Sequence, residues 1–226
     1  MAAKKDEGIL VAMTKIEKKT VKLRLIGDSP LIVHAWSTKA KRMMLESQMG
    51  KSKGRAKPLR NPVDDFIQSL YWISHKPEYP DDATPEECER AFEEAIQSGA
   101  EFGFPAQAVK LAGNSAAYRL GWVKNQMALR GAYYIAPDVG DLLIVHGDPP
   151  VMREDTVRIG MGSTDLRYRG EFRNWYMNLT ITYTEAFGFD LEALINIINA
   201  GGFAVGVGEW RTERDGSFGT YHVETI

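Results

Sequence analysis

Two stretches hold the residues whose types and spacing suit chemistry. In DLRYRGEFRNWY, residues 165–176, Arg167, Arg169 and Arg173 are interleaved with Tyr168, Phe172, Trp175 and Tyr176. Alternate positions share one face of a strand, so the three arginines are expected to present a row of phosphate ligands. In GGFAVGVGEWRTERDGSFGTYHV, residues 201–223, six glycines surround Trp210, Arg211, Arg214 and Phe218. Arginines and aromatic rings beside bare backbone at Gly206 and Gly208 suit a single strand of nucleic acid, whose bases stack on rings. The same stretches also read as a glycine-rich β-hairpin turning at RDGS, and as a strand with solvated arginines and core aromatics.

Other chemistries find no support. GVGEWR begins like a dinucleotide fingerprint, but Arg211 replaces its third glycine and the order is helix, glycines, strand instead of strand, glycines, helix. No Gly-Lys-Ser or Gly-Lys-Thr follows a glycine-rich loop, and GMGST and GDSP do not fit the Gly-x-Ser-x-Gly elbow. His34, His75, His146 and His222 lie far apart, and Cys88 is the single cysteine, so neither a zinc site nor a disulfide framework is expected. No cofactor is expected.

These stretches sit among elements readable from periodicity. Val21, Leu23 and Leu25 alternate with Lys22 and Arg24 in a half-buried strand, broken at GDSP and resumed at Leu31 and Val33. Asn61 and Pro62 open a helix over NPVDDFIQSLYWI; Thr84 and Glu87 form a capping box for a second that stops at Gly99. FPAQAVKLAGNSAAYRLGW reads as a helix with glycine interruptions, and GDLLIVHGD as a short buried strand. From Thr156 the chain turns β-rich, and Asp190 caps a last helix ending at Gly201, after which FAVGVG and SFGTYHV read as strands. Long strands with helices between them indicate α+β.

The 226 residues fit one domain, 1–226, carrying a basic arm or long hairpin at 37–60 and a helical insertion at 61–102. The net charge of −2 hides an uneven distribution. Residues 37–60 hold eight Lys or Arg against Glu46, while 77–102 hold nine acids against Arg90. The acidic run reads as a solvated helix face. No apolar run approaches a membrane span, so no membrane partner is expected, and a lone cysteine suits a reducing cytoplasm.

The helix followed by Gly206, Gly208, Arg211 and GSFG at 216–219 resembles the C-terminal glycine-rich signature of the RAMP superfamily. That superfamily comprises the ferredoxin-like, RRM-like RNA-binding modules of CRISPR effector complexes, and the match covers some 35 residues, roughly a sixth of the chain. The resemblance implies a ferredoxin-like antiparallel sheet with an inserted basic arm, and a non-catalytic subunit that coats single-stranded nucleic acid, RNA favoured. It implies a homo-oligomer or a multi-subunit ribonucleoprotein, with glycines letting backbone approach phosphates and Lys51, Lys53, Arg55 and Lys57 serving the arm. The repeat-processing endoribonucleases of the same superfamily supply an alternative, metal-independent cleavage by His34 with Lys39 or Lys41. Two further alternatives stay open: a phage protein that binds or anneals single-stranded DNA, and an oligomeric structural protein.

Overall fold

Alternation in the first strand does what its pattern predicts. In β1 (Lys19–Gly27), Leu23 and Leu25 are fully buried while Lys22 stays in water. The structure is a computed structural model describing residues 15–50, 60–160 and 162–226, and it is a mixed α+β fold with antiparallel sheets. Lys51, Lys53, Arg55 and Lys57 of the expected arm lie outside the described residues.

β1 is flanked by β8 (Trp175–Tyr183) and β9 (Tyr221–Thr225). On its far side β8 pairs with β4 (Tyr133–Ala136) along one half and β5 (Leu142–Gly147) at the other end, and β5 pairs with β3 (Phe102–Pro105). All these pairings are antiparallel. Helix α4 (Ala106–Arg119) leads from β3 by way of the short α5 (Met127–Arg130) to β4, and α6 (Leu191–Ala204) joins β8 to β9. The apolar side of the sheet, with Met177, Leu179 and Ile181 of β8 and Ile135 of β4, is buried against these two helices. Burying each such side chain contributes about 1.5–3 kcal/mol.

A second sheet has the order β2–β7–β6, from β2 (Leu31–Val33), β7 (Ser163–Phe172) and β6 (Val151–Ile159). Its chain passes into the first sheet through the corner at Arg173–Asn174, which splits the continuous β run expected there. Helix α2 (Pro62–Ser69) lies on one face, where the Gly170 N–H donates to Ser69 Oγ at 3.0 Å and a Cβ on Gly170 would overlap Leu70. Helix α3 (Pro85–Gln97) carries both capping-box bonds between Thr84 and Glu87.

Three expectations need correction. The basic segment is no hairpin over its first half: Ser37 caps α1 (Thr38–Gln48), whose Lys, Arg, Met, Leu and Gln residues favour a helix and whose Arg42 pairs with Glu46 at i+4. Gly113 does not interrupt α4, because the missing side chain admits α6; a Cβ on Gly201 would stand 2.6 Å from the Gly113 nitrogen. For the same reason α6 runs through Gly201 and Gly202 to Ala204, and 205–220 is an irregular loop with one 3-10 turn at Thr212–Arg214, so FAVGVG is no strand and SFGTYHV is one only from Tyr221, in β9. Among the described residues, no helix is long and apolar enough to cross a membrane.

Candidate nucleic-acid interface

The β6–β7 register sets Arg153 opposite Arg169 and Asp155 opposite Arg167. The face they share packs against the glycine-rich loop, which runs along β2 through the Glu209 N–H donating to the Ile32 carbonyl at 2.9 Å. Arg169 is only 2% exposed there, donating through Nη1 to Asp155 at 3.0 Å and through Nη2 to Glu209 at 3.3 Å. Arg153 donates to Asp155 at 2.8 Å and to Glu171 at 2.9 Å, with its guanidinium 4.5 Å from the centre of the Phe218 ring. Arg173 donates to the other Glu171 oxygen at 3.0 Å. Burial alone would raise the Glu171 carboxyl, but the bonds from Arg153 and Arg173 outweigh it and hold it below the usual carboxylate range.

The expected row of phosphate ligands on β7 is therefore corrected. Arg169 is an internal cation, Phe218 is a platform for Arg153, and Arg173 lies past the end of β7 with a carboxylate attached. Arg167, half-exposed and 3.8 Å from Asp165, remains accessible. Arg211 is also committed: Nε and Nη2 donate to Glu213 and Nη1 donates to the Gly208 carbonyl at 3.1 Å. Arg119 binds the second Glu213 oxygen. Arg214 is exposed, and Trp210 is 39% exposed with a left-handed backbone at φ 51°.

The glycines are filled by the protein itself. A Cβ on Gly208 would overlap the Ile32 carbonyl, and one on Gly219 would overlap the Val207 carbonyl. Gly206 and Gly208 also adopt positive φ, which L side chains rarely do. Their close approaches are to this chain's backbone, so the expectation of backbone bared for phosphates is not met at Gly208, and at Gly206 the neighbours are Arg211, Phe218 and Gly219.

His34 follows β2 and is partly buried. Burial, then the positive charges of Arg169 and Arg167, hold its imidazole below the ordinary histidine value. The described residues form no hydrogen bond to its ring. Lys41 lies on the first turns of α1 and lines a separate cleft; Lys39 is on the same turn, its side chain outside what is described. The nuclease pairing thus has an imidazole of lowered proton affinity and, among the described side chains, no lysine hydrogen-bonded to it. Among the described residues, no group of three or more His, Cys, Asp and Glu could hold a metal ion.

The first sheet carries a second surface, which the sequence reading did not single out. Its face opposite α4 and α6 carries Lys22, Arg24 and Ile26 on β1, Tyr176, Asn178, Thr180 and Thr182 on β8, His146 on β5, and His222 and Glu224 on β9. The Tyr176 ring is flanked on the β5 side by the His146 ring, centroids 4.9 Å apart and planes inclined by 20°. On the β1 side the Arg24 guanidinium stands 4.9 Å from the same ring and donates to Asn178 at 3.3 Å. Neither Lys22 nor Arg24 forms an ion pair among the described residues. Alternation in β1 and β8 signals this face; the meeting of His146, Tyr176 and Arg24 depends on a register across three strands that sequence spacing does not reveal.

No protein-family model matches the chain, and no curated protein matches it significantly.

Proposed function

We propose that this protein binds single-stranded nucleic acid on the uncovered face of its first sheet, as a non-catalytic subunit that assembles along the strand, with RNA favoured over DNA. The observation that carries the reading is the Arg24–Tyr176–His146 cluster, a tyrosine ring flanked by a guanidinium and an imidazole from the two neighbouring strands on the open side of the sheet. A base stacks on such planar groups, whichever base it is. Lys22 and Arg24, neither of them in an ion pair among the described residues although Glu224 stands across from Arg24 in the β1–β9 register, supply charge for phosphates, and Asn178, Thr180 and Thr182 supply polar side chains between them.

Topology supports the same reading. The path β1, α4, β4, β8, α6, β9 gives the antiparallel strand order β4–β8–β1–β9 with both helices on one side, which is the order of a ferredoxin-like βαββαβ unit. On that reading β2, β6 and β7 with α1–α3 are additions to a RAMP-like core, and assembly into a homo-oligomer or ribonucleoprotein would use surfaces outside the sheet.

Fluorescence anisotropy with labelled single-stranded RNA and DNA at low salt tests it. Tyr176→Ala removes the ring that His146 and Arg24 flank and so dismantles the platform, and it should weaken binding by about 1–3 kcal/mol, the value of one stacked base. Absence of binding to either strand rejects the proposal, and so does a Tyr176→Ala protein that binds like wild type. RNA cleavage in EDTA that disappears in His34→Ala would replace the non-catalytic reading with the endoribonuclease.

A further inference from the structure

A cleft of about 430 Å³ opens between the start of α1, the end of α2 and the turn before β5, away from the Arg24–Tyr176–His146 cluster. Its volume lies within the range of small-molecule sites, about 300–1,000 Å³. The floor is rigid. Trp72 donates its indole N–H to the Ile67 carbonyl at 2.9 Å and packs against Phe92 and Phe102, while Tyr71 sets its ring edge-to-face against Phe104. The walls carry two lysines against one carboxylate, Lys41, Lys76 and Asp141.

Lys76 is fixed in place. Its Nζ donates to Gln68 Oε1 at 2.7 Å, and the Gln68 amide donates onward to Asp64 at 3.1 Å. One of three ammonium protons is thereby used, leaving two for a ligand. Partial burial pushes its proton affinity down, which raises the cost of leaving it without an anion. At the rim Trp36 is 61% exposed, a large indole with most of its surface in water. Asp141 is exposed and its carboxylate forms no bond among the described residues, so it is free to accept from a donor.

We propose that this cleft binds a nucleoside 5′-phosphate, the base stacked on Trp36 with its N–H edge toward Asp141 and the phosphate between Lys41 and Lys76. The assignment matches each wall to one part of the ligand: plane to plane, carboxylate to base donors, ammonium groups to phosphate. It does not depend on a strand binding the sheet face. A free nucleotide and one nucleotide of a longer strand present the same chemistry.

The test is titration of the full chain with guanosine 5′-monophosphate, followed through the indole N–H resonances of its tryptophans, with Trp36 identified by its loss in Trp36→Phe. Saturable shifts of the Trp36 and Trp72 signals are expected. Guanosine without phosphate should bind about tenfold more weakly or worse, and Lys41→Met, Lys76→Met and Trp36→Ala should each weaken binding by about tenfold or more. The Arg24→Ala/Tyr176→Ala protein should bind the mononucleotide like wild type. Indole signals that do not move, guanosine or inorganic phosphate binding as tightly as the nucleotide, or both lysine variants binding like wild type would overturn the assignment. The guanosine comparison uses unmodified protein, so a variant that fails to fold leaves the test intact. A ten-nucleotide RNA that shifts the same indoles and competes with the mononucleotide identifies the strand as source, and one that does neither identifies a free nucleotide.

Discussion

Replacing Arg169 with alanine separates an internal cation from a phosphate ligand. Its side chain is 2% exposed and stands between Asp155, itself 6% exposed, and Glu209, which is 43% exposed. Removing it leaves Asp155 buried with Arg153 as its one remaining ion-pair partner among the described residues, while Glu209 can turn to water. Breaking a buried pair on one side costs about 3–5 kcal/mol, because the surviving charge keeps its desolvation penalty. For a domain of this size each kcal/mol lowers Tm by about 2–4 °C, so Arg169→Ala should melt about 6–20 °C below wild type. Arg173→Ala removes a pair whose arginine is 66% exposed and should cost less than about 1 kcal/mol. Thermal and urea unfolding followed by circular dichroism measure both, and nucleic-acid binding is then measured where Arg169→Ala remains folded. A variant that melts like wild type but binds single strands far more weakly would refute the assignment of Arg169 to the interior and restore the phosphate ladder.

Two further outcomes follow from the same coordinates. Gly219→Ala combines a positive φ of 67° with overlap on the Val207 carbonyl and should cost more than about 2 kcal/mol by urea unfolding, whereas Gly99→Ala, at φ 81° with open space around it, should cost only the left-handed penalty of about 1–2 kcal/mol. For His34 the folded value lies below the ordinary 6.5, so the unfolded chain takes up the proton first as pH falls. Its contribution is therefore intact above about pH 6.5 and is lost as pH drops from there through the lowered folded value. Urea midpoints from pH 7.5 down to 5 should fall less steeply in His34→Gln than in wild type, and parallel curves would contradict the burial of that ring.

What could be read from the chain alone was set by the range of each interaction. The α3 cap was legible because Thr84 and Glu87 are three residues apart, and α6 because Asp190 caps Ala193 at the same spacing. Alternation in β1 and β8 disclosed one buried and one open face. The glycine-rich tail misled because its glycines answer partners far away in sequence: Gly201 meets Gly113, Gly202 meets Tyr221, and Gly208 meets Ile32. A glycine demanded by a helix crossing looks in sequence like one demanded by a phosphate. The arginines of β7 misled likewise, since Asp155 and Glu209 lie 14 and 40 residues from Arg169. Aligning β6 and β7 so that Ile159 pairs with Ser163 would have put Arg153 and Asp155 across from Arg169 and Arg167 and revealed the acids among the bases.

Neutralisation within the second sheet decides where a strand can find charge. Arg153, Arg169 and Arg173 face Asp155, Glu171 and Glu209, so three cations meet three anions and leave no field for phosphates. Arg211 and Arg119 share Glu213. On the first sheet Lys22 and Arg24 form no ion pair among the described residues: Arg24 donates to the neutral amide of Asn178, and Glu224, across from it on β9, is the acid that faces it. Each phosphate contact on a single strand contributes about 0.7 to the slope of log K against log salt. Lys22→Ala/Arg24→Ala should therefore flatten that slope by about 1.4, while Arg211→Ala, measured where the protein is folded, should leave it unchanged. The opposite ordering would mean that the strand displaces Glu213 and runs along the glycine loop, and the sheet face would then lose its claim to the ligand.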